Sequence, residues 1–333
     1  MSVLKANAYG HGLEQVAPII APLSDFLMVN TLSEALQIRR LKIKNPVLIA
    51  APISPTDFIL AYQNNFSLCA HSLEYLESLS ALHLPLHLHL KINTGTNRLG
   101  LSPIELLTAL SLAAKSKFHI EGIYTHFHSS DSGSPATASQ LDIFNQAVFQ
   151  TRYLFPHVLA HCASSSASSL LPNTRLDMYR LGISLYGLWP DPYVKQHASA
   201  GFTLKPVLSW KCHPVQFRQI PIGQTIGYSA TYTYKKPGSM AVLPIGYSDG
   251  YDRKLSNTGR VWYSGNYFPV IGRVAMNFTC IDTSGHFSNG STNNSVELLG
   301  PHVTVDEIAT KTGTINYEVV SRLNPFIKRI IVK

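Results

Sequence analysis

Up to about residue 190, short apolar runs alternate with helix-patterned stretches, with a strand recurring roughly every 20–30 residues. Candidate strands are Val3–Ala6, Phe26–Asn30, Val47–Ala50, Phe66–Ala70, Leu86–Asn93, His119–Thr125, Val158–His161 and Arg180–Leu185. Strand–helix alternation of this kind is resolved by a parallel sheet with helices outside, and eight repeats predict an α/β fold closed into a (β/α)8 TIM-type barrel. Helix-start signals fall between the strands. Thr31 with Glu34 and Ser102 with Glu105 have capping-box spacing, and Pro103 stands at a first helical position. After Leu188-Trp189-Pro190-Asp191-Pro192 the pattern changes to closely spaced Val, Tyr, Thr and Gly, with turns such as Lys236-Pro237-Gly238. This predicts a C-terminal all-β domain, interrupted by a helix at Val305–Thr312 and carrying a surface loop at Ser284–Ser295. The expected domains are 1–195, the barrel, and 196–333, the β domain.

Chemistry in a barrel belongs at the carboxyl ends of the strands, and Lys5, Lys91, His126, Ser165 and Gly182 fall at or just after such ends. Lys5 is the most informative. A lysine delivered by an apolar strand to the mouth of a barrel is desolvated, so the neutral, nucleophilic amine becomes accessible. Imine formation with an aldehyde cofactor requires that form, and pyridoxal 5′-phosphate is the commonest such cofactor. An ordinary lysine at a frayed terminus would have the same local sequence.

Composition removes other classes. Of 333 residues 45% are hydrophobic and only 14% charged, which fits a globular chain with a large core. The net charge of +8 is scattered, with no basic run interleaved with aromatics, so no nucleic-acid partner is expected. No apolar run has transmembrane length, and no membrane association is expected. The four cysteines lack Cys-x-x-Cys or framework spacing, which points to a reduced compartment and, without a secretory signal, to the cytoplasm. His87 with His89, and His126 with His128, have the i, i+2 spacing that metal sites use, but no carboxylate or cysteine companion is evident in sequence; no metal is expected.

Nine motifs occur in order: Leu4–Gly12, Leu90–Gly100, Tyr124–Phe127, His161–Ala167, Arg180–Ile183, Ile226–Tyr232, Pro244–Tyr251, Gly272–Met276 and Ile315–Glu318. In order and spacing the chain closely resembles bacterial alanine racemases, pyridoxal-phosphate enzymes of fold-type III. The resemblance implies that Lys5 carries the cofactor and moves the α-proton on one substrate face, with Tyr228 as the base on the other. A proton removed on one side and returned on the other calls for two flanking bases. It implies Arg180 at the pyridine nitrogen, which a guanidinium keeps unprotonated, weakening the electron sink; decarboxylases of the same fold type place an acidic group there. His126 resembles the residue linking that arginine to the tyrosine. Arg98 resembles the arginine near the cofactor's phenolic oxygen and the substrate carboxylate, and Lys91 the lysine often carbamylated to position it.

Phosphate anchoring falls by the same resemblance to Tyr9, Ser165, Tyr317 and the backbone of Gly182 and Ile183, and the substrate gate to Met276 and Tyr247. Tyr228, Tyr247 and Met276 would reach the cofactor of the other subunit, so a homodimer with shared sites is implied. The implied reaction is interconversion of L- and D-alanine, supplying D-alanine for peptidoglycan. A broad-specificity amino-acid racemase, a fold-type III decarboxylase, a non-catalytic pyridoxal-phosphate-binding protein and an inactive truncated form are the alternatives. Family members begin further upstream, so an N-terminal segment of the barrel is expected to be missing. Asn93 and Asn277 stand where the family usually has Asp, Asn97 where Gly is usual, and Ser164 replaces a frequent Asn.

Overall fold

A computed structural model describes residues 1–198, 203–285 and 293–332. The chain divides into two compact units, Met1–Leu204 and Lys205–Lys333.

In the first unit, seven parallel strands pair in chain order: β1 (Ser2–Val3), β2 (Leu27–Val29), β3 (Val47–Ile49), β4 (Phe66–Ala70), β5 (His87–Lys91), β6 (His119–Tyr124) and β7 (Leu159–His161). Helices follow the strands, among them Leu32–Arg40 and Pro103–Lys115. Both capping boxes form as their spacing predicts: Thr31 and Ser102 accept from the backbone of Glu34 and Glu105, whose carboxylates return to the cap residues. Alternate strand residues divide two environments. Leu68, Leu88 and Leu90 join the apolar core beneath the helices, each worth about 1.5–3 kcal/mol when buried. Ser67, Cys69, His87 and His89 instead bond side chains on other strands of the sheet, Ser67, Cys69 and His89 reaching past the adjacent strand.

The ring closes by less than a strand. Where Arg180–Leu185 was expected as the eighth strand, Leu181 alone bridges Ser2, with Val3 donating to its carbonyl at 2.9 Å. The chain then turns into the 3-10 helix Ile183–Tyr186, because Gly182 takes a conformation (φ −105°, ψ −103°) that leaves the strand direction.

The first strand also stops early, at Val3 rather than Ala6. From Ala6 to Tyr9 the backbone winds in the left-handed helical sense, with φ values of 52–54°. None of the four is glycine, and each such residue costs about 1–2 kcal/mol relative to right-handed winding. Local and tertiary bonds together hold the turn: Asn7 Oδ1 accepts from Leu13 N–H and Ala8 N–H donates to the Leu4 carbonyl, while Asn7 N–H donates to Glu34 of the next repeat. Strain held this firmly is typical of functional sites.

The second unit is an antiparallel sheet of β8 (Trp210–Cys212), β9 (Gln216–Ile220), β12 (Gly238–Leu243), β13 (Arg260–Tyr263), β14 (Asn266–Ile271), β15 (Thr279–Asp282) and β16 (Val296–Leu299). A separate ribbon pairs β10 (Thr225–Ile226) with β11 (Tyr232–Thr233). The expected helix forms at Val305–Thr312, capped by Thr304, and a second helix, Asn316–Ser321, falls on a stretch expected only as a motif. Of the Ser284–Ser295 loop, residues 286–292 lie outside the described residues. No helix among the described residues is long and apolar enough to cross a membrane.

Candidate active site

Lys5, Lys91, His126, Ser165 and Gly182 all lie at or just after the carboxyl ends of the barrel strands or of the Leu181 bridge. Lys5 is half-buried and its amine bonds no described side chain. Burial lowers its pKa, and the Arg98 and Arg180 charges push the same way against the weaker pull of Glu34. The left-handed turn carries Tyr9 on from Lys5. Burial pushes the Tyr9 phenol up to about 12, so it is a hydroxyl donor rather than a base.

Tyr9, Ser165 and Gly182 converge. Ser165 Oγ accepts from the backbone N–H of Gly182 at 3.0 Å and of Ser184 at 3.4 Å. A Cβ on Gly182 would stand 2.5 Å from Tyr9 Oη. Ile183 follows, fully buried, and the buried Ser184 hydroxyl has no hydrogen-bond partner among the described residues. Hydroxyls and backbone N–H groups gathered at a position kept clear of side chain make a cradle suited to a phosphate.

Arg180 is 4% exposed and touches no carboxylate among its described partners. Its Nη1 donates to the His161 carbonyl (2.8 Å) and faces His161 Nδ1 (2.9 Å); its Nη2 donates to the carbonyls of Thr125 (2.7 Å) and Cys162 (3.1 Å). A surface ion pair, the ordinary setting for an arginine, does not apply. The imidazole bonded to Arg180 is His161, whose motif was visible in the sequence, rather than His126. The His126 ring is open to solvent at the mouth yet walled by protein, and this desolvation, with the nearby Arg180, Arg98, Lys5 and Lys91 charges, lowers its pKa.

Lys91 is buried, its ammonium 5.7 Å from the Tyr124 ring centre, with no ion pair among the described residues; burial lowers its pKa. Arg98 is exposed, on the loop after β5. Thr96 Oγ1 ties that loop to the His126 carbonyl at 2.5 Å. Asn93 and Asn97, both departures from the family pattern, are partners: Asn93 Nδ2 donates to Asn97 Oδ1 at 3.0 Å, while Asn93 Oδ1 accepts from the backbone of Gly95 and Asn97. Asn97 has φ 53°, which asparagine tolerates where glycine is otherwise preferred. Ser164 Oγ meets Ser130 Oγ at 3.3 Å.

In the second unit, Tyr228, Tyr247 and Met276 are 70%, 43% and 55% exposed. Gly246 lets the turn holding Tyr247 press against Ala275 and Met276, whose carbonyls lie within 2.3 Å of where its Cβ would be. Tyr247 N–H donates to the Ala275 carbonyl at 3.0 Å, and Ser248 Oγ to the Met276 carbonyl at 2.8 Å. Asn277, the remaining departure, donates to Ser248 Oγ at 2.9 Å, a bond an aspartate could not give. Tyr228 follows Gly227, which packs on Gly272 and Arg273, so the two tyrosines and Met276 sit on connected segments. Tyr317 is half-buried on the helix Asn316–Ser321.

A parallel α/β barrel with a desolvated lysine and an anion cradle at its mouth, followed by an antiparallel β domain, has the plan of a barrel enzyme with its site at the carboxyl ends of the strands. The alanine racemase N-terminal domain family matches residues 1–190 and the alanine racemase C-terminal domain family residues 207–331. An alanine racemase of Leptospira interrogans is 35% identical, over 99% of this chain and 88% of its own length. The solved structure of alanine racemase from Clostridium difficile 630 has a TM-score of 0.91 at 28% identity, covering 97% of this chain and 86% of that one. That of alanine racemase from Bartonella henselae with covalently bound pyridoxal phosphate scores 0.86 at 26% identity, covering 98% and 90%. The chain belongs to the alanine racemase family.

Proposed function

We propose that the protein interconverts L- and D-alanine with pyridoxal 5′-phosphate held on Lys5, and that it supplies D-alanine for peptidoglycan in the cytoplasm. One observation carries the reading: a desolvated amine beside a hydroxyl-and-amide cradle, with a buried arginine bonded only to neutral acceptors among the described residues. When bound, the cofactor supplies an aldehyde for the amine and a conjugated ring that delocalises the electron pair left at the substrate α-carbon. Tyr9, Ser165, Tyr317 and the N–H groups of Gly182 and Ile183 hold its phosphate. Arg180 has only donors, so it keeps a ring nitrogen facing it unprotonated and limits how long charge rests on the ring.

Lys5 Nζ removes or returns the α-proton on one face, and the Tyr228 phenol of the partner subunit does so on the other. This division needs a homodimer, and the exposure of Tyr228, Tyr247 and Met276 in the single chain is consistent with burial against a second copy. Arg98, Met276 and Tyr247 receive the substrate carboxylate, and His126 orients the tyrosine. Lys91, a buried amine without a counter-ion among the described residues, is suited to carbamylation, which would give Arg98 an anionic partner. Borohydride reduction of the loaded enzyme followed by peptide mapping tests the assignment. The label is expected on Lys5; a label on any other residue, or none, refutes it.

A further inference from the structure

The Arg180–His161 contact continues across the barrel. His161 Nε2 lies 2.9 Å from Nδ1 of His89 on β5, and both rings are fully buried. His89 Nε2, which makes no hydrogen bond among the described residues, faces the Glu121 carboxylate on β6 at 3.8 Å, close enough for charge attraction but beyond hydrogen-bond range. Glu121 is held at the opposite, amino end of the strands by Ser67 Oγ (2.5 Å) and His87 Nδ1 (2.8 Å). The His87–His89 alternation has no carboxylate companion evident in sequence. Glu121 reaches both rings because β5 and β6 slip register between Leu88 and His89, leaving Glu121 as the extra residue of a bulge.

Room for the His89 ring comes from its cross-strand neighbour: a Cβ on Gly122 would stand 2.1 Å from His89 Nδ1. Donor and acceptor rules then fix the direction of the chain. Arginine only donates, so His161 Nδ1 must accept and its proton sits on Nε2. That N–H needs an acceptor, so His89 Nδ1 is bare and the His89 proton also sits on Nε2, the nitrogen nearest the Glu121 carboxylate.

We propose that His89 and Glu121 are positioning residues of the active site: the Glu121 carboxylate selects the Nε2–H tautomer of His89, which selects that of His161, whose free Nδ1 then holds Arg180. The opposite tautomer of His161 would set an N–H against the Arg180 N–H and push the guanidinium off its present position, with its three carbonyl partners left to hold it. The functional arm of the test rests on the proposed racemase reading; the spectroscopic arm does not.

Long-range proton–nitrogen correlation spectra of histidine-labelled protein, without added cofactor, are expected to show His161 and His89 neutral and protonated on Nε2. His89→Leu should move the His161 signature off that position, His89→Asn, which keeps an acceptor where Nδ1 lies, should retain it, and Glu121→Gln should shift His89. A wild-type His161 protonated on Nδ1, or one unchanged in His89→Leu, overturns the proposal; an unmoved His89 in Glu121→Gln overturns the part given to Glu121.

In the loaded enzyme, His89→Leu is expected to lower kcat about tenfold or more with a much smaller change in KM, recovered largely by His89→Asn. Equal losses in both variants, or a loss in KM alone, overturn it. Should His89→Leu fail to fold, Gly122→Ala takes its place, displacing the His89 ring and giving the same spectral change at His161. Spectra as expected in a protein without racemase activity would leave the relay standing and remove the functional reading.

Discussion

Gly182→Ala tests the cradle most directly. The new Cβ would lie 2.5 Å from Tyr9 Oη and 3.2 Å from its Cζ, against an ordinary contact of 3.4 Å or more. The hydroxyl therefore has to move by about 0.9 Å, which takes a bond near the usual 2.7–2.8 Å out of range. Retreat is restricted, because the Tyr9 ring packs 5.1 Å from Tyr186, itself fully buried and bonded to the Val3 carbonyl. A hydrogen bond to a charged group is worth about 1.5–3 kcal/mol, so pyridoxal-phosphate affinity should fall about 10- to 150-fold. Absorbance titration of apoprotein measures this.

Tyr9→Phe should lose a similar amount, and adding Gly182→Ala to it should cost little more, since the offending oxygen is gone. This is a double-mutant cycle with strong coupling. Additive losses would refute the idea that the Tyr9 hydroxyl and the bare Gly182 form one binding element, and so would a Gly182→Ala protein that binds as tightly as the parent.

Tyr228→Phe should abolish solvent proton exchange from one alanine enantiomer far more than from the other, whereas symmetric loss in deuterium-exchange assays would count against two bases on opposite faces. Mixing inactive Lys5→Ala and Tyr228→Phe subunits should restore part of the activity through hybrid dimers, and the absence of recovery would argue against a shared site. Asn93→Asp sets a carboxylate oxygen against Asn97 Oδ1; it should raise KM for alanine about two- to fivefold, for a loss near 0.5–1 kcal/mol, and Asn97→Gly should reverse this. A double variant no better than Asn93→Asp would contradict the pairing.

Acid should also destabilise the barrel. Burial, with Arg180 and His87 nearby, lowers His89 from 6.5 to about 3, so the unfolded chain binds the extra proton between those values and stability falls as pH drops through them. The loss is up to about 1.4 kcal/mol per pH unit for this histidine, and His161 shifts in the same direction. Denaturant unfolding across that range should be less steep in pH for His89→Leu; an unchanged slope would mean that His89 charges in the native state.

Much of the fold was legible because local signals and the global plan agreed. The Thr31 and Ser102 caps, the Val305–Thr312 helix and the strand rhythm could be read without tertiary knowledge. What escaped notice depends on contacts distant in sequence. Nothing in Ala6-Asn7-Ala8-Tyr9 announces left-handed winding; Glu34 and Leu13 impose it. The eighth strand shrinks to Leu181 because Gly182 turns away to build the cradle, a demand of the site rather than of strand propensity. The proposed site residues stand in the motifs, but the partners of Arg180 are not legible there. His161 opens the His161–Ala167 motif, which does not reveal its bond to Arg180, and the path to Glu121 depends on a bulge that apolar periodicity does not encode.

The backward-wound segment after β1 also bears on when the enzyme becomes competent. A free chain disfavours that geometry, and the Glu34 carboxylate that helps to enforce it arrives only once the next repeat has docked. Chemical reactivity at the adjacent amine is therefore a late event in maturation. Aldehyde capture would serve as a clock for completed assembly, lagging behind any signal from helix content.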